Sequence, residues 1–235
     1  MNEALLVRGA AHLMTGLPGA AMRAAGGTDL RVRGGRIAAI GTLAPEPGER
    51  VLDATGCVVY PGWVNTHHHL FQSLLKGIPA GINLALVPWL AAVPVPYRRH
   101  FDSEQALRVA ARVGLVELML SGCSTVADHQ YHYYPGMPFD ASAVLFDEAD
   151  RLGLRFVLCR GGQTQARVMT DHVAPPQSAP ETLDAFLVGV EHPFTGLGLQ
   201  RADGRDAAGA DAHVVAAGMA HRVAPAGPQV RRTAD

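Results

Sequence analysis

The chain has 235 residues, 48% hydrophobic and 17% charged, which excludes a disordered polymer and allows one sizeable core. Its formal net charge of -1, with no long run of one sign, excludes a nucleic-acid surface or a polybasic membrane patch. No stretch approaches the roughly 18 apolar residues needed to span a bilayer, and the start, MNEALLVRGA, lacks the basic and long apolar regions of a signal peptide. Cys57, Cys123 and Cys159 are widely spaced and odd in number, so they read as buried thiols in a reducing compartment, and a cytoplasmic location is expected.

Residues 4–8 read as a short strand. Asp29–Arg33 and Arg36–Ile40 flank Gly34-Gly35, a pair that accepts positive φ at both centres of a primed hairpin turn. Val51–Tyr60 is a further apolar, β-rich run, so residues 1–60 read as a small all-β unit. The pattern changes at Pro61, where Val58–Asn65 reads as a buried strand. A helix is expected over Ser103–Ser121, with Asp102 or Ser103 as N-cap and Gly122 just past its end. Ser124–Asp128 reads as a strand, Ala141–Leu152 as a helix capped by Asp140 and stopped by Gly153, and Leu154–Arg160 as a strand. Strand and helix alternate here, which predicts βαβ units and a parallel sheet over 61–192. A third helix is expected over Pro180–Val190, with proline in its first turn. Residues 193–235 are dominated by Ala, Gly, Arg and Asp and read as a low-information, flexible tail; the one apolar patch, Ala212–Met219, is short.

Chemistry concentrates in Pro61-Gly62-Trp63-Val64-Asn65-Thr66-His67-His68-His69-Leu70-Phe71-Gln72. An apolar strand delivers three consecutive histidines at its C-terminal end. On extended backbone alternate side chains face the same way, so His67 and His69 are expected to point together and His68 away. Two imidazoles so placed can hold one metal ion, and the C-terminal end of a strand is where βα barrels place their chemistry. A surface accident or a set of hydrogen-bonded loop residues is the plainer explanation of a lone histidine, but a pair at strand spacing directly after a strand, near the start of a βα series, favours metal ligands.

This segment resembles the first barrel strand of the amidohydrolase superfamily. The hairpin and Val51–Ala54 are similar to that superfamily's N-terminal β-sandwich. Within it, His67-His68-His69-x-x-Gln72 followed by Val87-Pro88-Trp89-Leu90 resembles the cytosine/guanine deaminase branch. Within that branch the chain is most similar to the 8-oxoguanine and isoxanthopterin deaminases, and Ser121–His129 and Tyr133–Pro138 look more like the pterin-acting relatives. The resemblance implies an α/β fold, a (β/α)8 TIM-type barrel with a small β-sandwich. It implies one divalent metal ion, usually zinc and sometimes iron, on His67 and His69, with Gln72 against the substrate. It further implies hydrolytic deamination of a small purine- or pterin-like heterocycle with release of ammonia, in full-length relatives that are homo-oligomeric. A triazine-type aminohydrolase or chlorohydrolase is the neighbouring alternative.

The sequence departs from that pattern. From Pro61 onward it is shorter than the ~250 residues of a typical barrel. The barrel is expected to stop after three to four strands, and the His-x-His-x-x-Glu run and later aspartate that the family supplies are absent. The catalytic residues therefore stay unknown, and an inactive truncated fragment is the alternative to an enzyme. The loss of pattern after residue 192 suggests a frameshift; a short variant or a partial gene model would read the same. Asp211-Ala212-His213 is a poor replacement ligand set. The zinc nucleoside-deaminase pattern, His-x-Glu with Pro-Cys-x-x-Cys, is absent. His129, His132, Tyr131 and Tyr133 read either as loop residues or as the rim of a substrate pocket. Trp89 reads as packing or ring stacking, and Asp128 as support for a metal-bound imidazole or as a strand-end hydrogen bond. Gly161-Gly162 reads as the end of the third strand.

Overall fold

The computed structural model describes residues 4–16, 23–24, 27–162, 182–191 and 213–218. The chain divides into two compact units, Met1–Gly62 and Trp63–Asp235.

In the first unit, β1 (Leu5–Arg8), β3 (Asp29–Arg33), β4 (Arg36–Gly41) and β5 (Arg50–Asp53) form a sheet of order β4-β3-β1-β5. β1 runs antiparallel to β3 and parallel to β5. The hairpin turns on Gly34 and Gly35 at φ 56 and 71, the conformation the Gly-Gly pair predicts. β2 (His12–Leu13) pairs in parallel with β6 (Val58–Val59). The Val51–Tyr60 run is therefore not one element. It breaks at a turn where Gly56 takes φ 77 and the Cys57 N–H donates to the Ala54 carbonyl. That turn leaves Cys57 exposed, contrary to the buried thiol expected, while Cys123 is buried and Cys159 half-buried. Val7, Ala10, Leu13 and Ala54 form the unit's small core. Its loops are fastened by charge: Asp29 accepts the N–H groups of Gly9 and Leu43 at 2.7 and 2.8 Å. Arg31 meets Glu49 through Nε at 2.7 Å and a second nitrogen at 3.0 Å.

The second unit is a parallel sheet of order β10-β9-β8-β7, built from β7 (Trp63–His68), β8 (Cys123–Gln130), β9 (Arg155–Gly162) and β10 (His213–Gly218). The expected strand Val58–Asn65 is split between the units. Pro61 offers no N–H to a ladder, so β6 ends at Val59 and β7 begins at Trp63 and runs through His68. α1 (Leu86–Ala92), α2 (Pro94–Tyr97) and α3 (Glu104–Leu120) follow β7, α4 (Ala141–Leu152) follows β8, and α5 (Leu183–Glu191) follows β9. Ser103 caps α3 by accepting the Ala106 N–H at 3.3 Å. Asp140 caps α4 through Ser142 and Ala143, and Gly153 stops it at φ 74. α5 starts at Leu183, with the Thr182 hydroxyl accepting the Ala185 N–H at 3.1 Å; Pro180 lies outside the described residues.

The apolar patch in the expected tail forms β10. Val214 and Val215 suit an extended chain, and β10 pairs with β9 from His213↔Val157 to Gly218↔Gly162. The rest of 193–235 lies outside the described residues.

The core between sheet and helices holds Leu70, Phe71, Leu107, Leu115, Leu145 and Leu158, all essentially inaccessible to solvent. α3 and α4 are also joined by charge. Glu148, almost fully enclosed, receives Arg112 at 2.8 and 3.0 Å and Arg108 at 2.6 Å. No helix among the described residues is long and apolar enough to cross a membrane.

Candidate metal and substrate site at the end of the first barrel strand

The histidine triplet lies where β7 loses its regular register. Pairing with β8 shifts between Asn65 and His68, and the Asn65 side-chain oxygen accepts the His67 N–H at 3.0 Å. Such an irregularity re-aims side chains at a strand end. The rings of His67 and His69 meet edge-on with centroids 5.1 Å apart. His68 takes the other direction. A Cβ built on Gly114 of α3 would lie 3.2 Å from His68 Cε1, 2.3 Å from Ser73 Oγ and 2.9 Å from Leu70 Cδ2. Only a glycine lets α3 come this close to the triplet.

β8 supplies the second layer. His69 Nδ1 lies 2.8 Å from the carbonyl oxygen of His129, a contact in which the ring nitrogen donates. That bond sets the tautomer and leaves Nε2 with a lone pair, the usual second partner of a metal-ligating imidazole. Burial pushes the His69 pKa below the ordinary histidine range, which also favours the neutral ring. Asp128 is fully buried and its Oδ1 accepts the Leu70 N–H at 2.7 Å. It therefore ties down the backbone just after the triplet rather than touching either ring of the His67–His69 pair; His68 Nδ1 stands 4.0 Å away. Burial pushes the Asp128 pKa up to about 7.

Gln72 follows on a 3₁₀ turn (Leu70–Leu75), and its Nε2 donates to the Tyr131 hydroxyl. Tyr131 stands edge-on to His69 at 5.2 Å, and the His129 ring lies 5.5 Å from His69. Of the four residues proposed for a pocket rim, these two join the pair. The other two do not. His132 turns into the core, 1% exposed and stacked on Phe71 at 5.6 Å. The Tyr133 hydroxyl meets Ser142 Oγ at 2.9 Å, and its ring carries the Arg160 guanidinium at 4.1 Å. A cavity of about 470 Å³ opens beside the triplet, with all three histidines, Gln72, Ile78 and Trp89 on its wall. Trp89 both lines this cavity and packs against the core.

Sequence reasoning missed the His69–His129 bond, the Gln72–Tyr131 pair and the part played by Gly161. A Cβ at Gly161 would stand 2.7 Å from Tyr131 Cβ and 2.9 Å from His129 Nε2, so a bare strand position makes room for both rings. The sequence held only part of the signal, two glycines ending a strand; which rings Gly161 faces is set by the pairing of β8 with β9. Among the described residues no group of three or more His, Cys, Asp or Glu is placed to hold a metal ion. His213 pairs with Val157, which pairs with Ala127, so the register sets it level with the end of β7, but on the opposite edge strand with β9 and β8 in between.

The model of the amidohydrolase family matches residues 58–222. The chain belongs to the amidohydrolase family. An isoxanthopterin deaminase from an unknown prokaryotic organism is 59% identical to it over 188 residues, 79% of this chain and 39% of that protein. The 8-oxoguanine deaminase of Pseudomonas aeruginosa is 36% identical over 171 residues, 72% of this chain and 36% of that protein. The crystal structure of an amidohydrolase from a Sargasso Sea environmental sample matches with a TM-score of 0.64 at 52% identity, covering 80% of this chain and 41% of that one. The chain thus spans well under half the length of these relatives. The structural neighbours imply a TIM-barrel family, and the described part of this chain is a partial fold of four parallel strands with helices.

Proposed function

We propose that this amidohydrolase chain is the part of a metal-dependent deaminase that carries two metal-ligating histidines and one wall of the substrate pocket. The substrate would be a small fused amino-heterocycle of the pterin or purine class. The 59% identity to an isoxanthopterin deaminase carries the reading, and the His67–His69 arrangement gives it chemistry.

Amidohydrolases generally use a divalent metal ion. His67 and His69 fit one: their rings meet on one side of a strand end, and the Nδ1 of His69 is already engaged by the His129 carbonyl. Zinc is the first candidate and iron the second. When bound, such an ion supplies Lewis acidity that lowers the pKa of a water toward ~7. Catalytic zinc usually takes three protein ligands and an open position, so the set needs residues beyond this pair. The chain's own groups do the rest of the local work. The His129 carbonyl orients His69, and Asp128 fixes the backbone turn after it. Gln72, held by Tyr131, presents an amide to the ring edge of a bound heterocycle. Trp89 and Ile78 line an apolar wall for its flat face. In the reaction water adds at the amino-bearing ring carbon, the C–N bond breaks, and the nitrogen leaves as ammonia with the ring carbonyl left behind.

The test is a chimera in which this chain is continued by the remainder of the isoxanthopterin deaminase it resembles. Ammonia release from isoxanthopterin, lost in His67→Ala, is the expected result. Hydrolysis of a chlorinated or alkylamino triazine with no ammonia from isoxanthopterin, 8-oxoguanine or guanine would assign the chain to the triazine-acting alternative.

A further inference from the structure

The parallel sheet of the second unit is finished on one face only. On the helix side Val126, Phe156 and Leu158 are buried in the core. Alternate residues of a strand point the other way. On that second face Thr125, Ala127, Val157 and Cys159 are half-buried. Val64, which the register pairs with Thr125, is 62% exposed.

The same sheet is open at its edges. Its order, β10-β9-β8-β7, leaves one side of β7 and one side of β10 free among the described residues. All four strands run in one direction. Trp63, at the start of β7, is 57% exposed. Parallel sheets are normally covered on both faces, and a bare apolar edge is a template for another strand.

Two copies of this sheet answer each other's needs. The structural neighbours imply a TIM-barrel family, and a barrel of that kind closes on twice the four parallel strands described here. A half-turn about the barrel axis sets β10 of one copy beside β7 of the other, in parallel, at two identical seams. The open faces then turn inward together. No edge is left over, so assembly stops at two copies and does not run on as a filament. A formal net charge of -1 puts little repulsion between the copies.

We propose that a second copy of this chain docks on the free edges of β7 and β10, and that the pair forms one closed barrel with Val64 inside it. The association is made by strands and apolar side chains. It does not use the His67–His69 pair, and it stands or falls separately from the function proposed above.

Sedimentation of the purified 235-residue chain, diluted in buffer containing a chelator, tests it. The expected species has twice the 24.8 kDa mass of one chain and dissociates on dilution. Trp63 is one of two tryptophans, so emission should shift to the red over the same dilution range, and the shift should vanish in Trp63→Phe. Val64→Lys forces a charge into the closed interior and should raise the dissociation constant at least roughly a hundredfold. Val64→Thr keeps the β-branched shape and should stay dimeric. Ile37→Lys, at an exposed apolar position of the first unit, should leave the dimer unchanged. Circular dichroism identifies a variant that fails to fold; the mass of the parent chain and its Trp63 shift then decide. A chain that stays monomeric at every concentration, a ladder of species larger than two, or a dimer that Ile37→Lys breaks and Val64→Lys spares overturns the proposal.

Discussion

His69 lies just past the end of β7 and His129 on the adjacent strand β8, and a 2.8 Å contact from the ring Nδ1 of the first to the carbonyl oxygen of the second locks one imidazole in place. The partner is a main-chain atom, so no side-chain substitution at 129 can remove it. The orientation of His69 is a property of the β7–β8 ladder, and it survives as long as that pairing does. Asp128, one residue earlier, anchors the other side of the same turn through the Leu70 N–H. Together they make the end of β7 rigid where a ligand must be held to within a fraction of an ångström.

The approach of α3 to this turn rests on Gly114. In Gly114→Ala the methyl would start 2.3 Å from Ser73 Oγ and 2.9 Å from Leu70 Cδ2, in a packed region with little give. The gain in helix propensity, about 1 kcal/mol, opposes an overpacking cost of about 1–3 kcal/mol. The net result expected in urea unfolding is destabilisation by roughly 1 kcal/mol. A variant at least as stable as the parent would mean that Ser73 can swing clear.

Glu148 is the acceptor for two arginines of α3, and its enclosure makes it the weak point of the helix pair. Glu148→Gln keeps the shape but removes the charge, leaving Arg108 and Arg112 facing an amide. Complete removal of one partner from a buried ion pair costs about 3–5 kcal/mol. Arg112 is half-exposed and Arg108 keeps Glu104 and Asp147, so about 2 kcal/mol is expected by chemical denaturation. A change under 0.5 kcal/mol would show the network to be worth no more than surface pairs.

Local chemistry explains which parts of this architecture were legible in the sequence. α4 was readable residue by residue because Asp140 and Gly153 punctuate it. α3 was readable because Ser103 and Gly122 do the same. β10 was missed because its apolar run is short and its pairing with β9 crosses some fifty residues of chain, which no local pattern records. The direction of His67 and His69 followed from strand alternation. The inward turn of His132 did not, because it depends on Phe71 offering a ring to stack on from another element. Contacts between strands, such as Gln72 with Tyr131 and His129 with Gly161, likewise exist only after the sheet is assembled.

His132 gives the fold a pH dependence with a definite sign. Both ring nitrogens lack partners among the described residues, and burial pushes its pKa down to about 4. In the unfolded chain the ring titrates near 6.5. Between those values the unfolded state binds more protons, so stability falls as pH drops through about 6.5 toward 4 and levels off below it. The full effect is roughly 3 kcal/mol at about 1.4 kcal/mol per pKa unit. His132→Phe, which can keep the stack on Phe71, should be flatter across this window in denaturant titrations at several pH values. An unchanged slope would assign the dependence to other groups.

The chain by itself should hold metal weakly and turn over nothing. Two imidazoles fall short of the three protein ligands of a catalytic zinc site, and the described residues offer no third His, Cys, Asp or Glu placed to join them. His213, the nearest alternative by sequence pattern, lies on the opposite edge strand of the sheet, with β9 and β8 between it and the triplet. Among the described residues no proton-shuttling carboxylate touches the His67–His69 pair either: Asp128 Oδ1 accepts the Leu70 N–H, and the nearest triplet ring to it is His68, at 4.0 Å. Zinc added to the purified chain should therefore be largely lost on dialysis. The weak residual binding, followed by competition with a chromophoric chelator, should fall further in His67→Ala and His69→Ala. In His68→Ala it should not, because that ring faces α3. Ammonia release from isoxanthopterin should not exceed that of the His67→Ala control. If the chain instead keeps about one equivalent of zinc through dialysis and releases ammonia steadily, a third ligand lies among the residues outside the described set. His172, His192 and His221 are then the first to substitute.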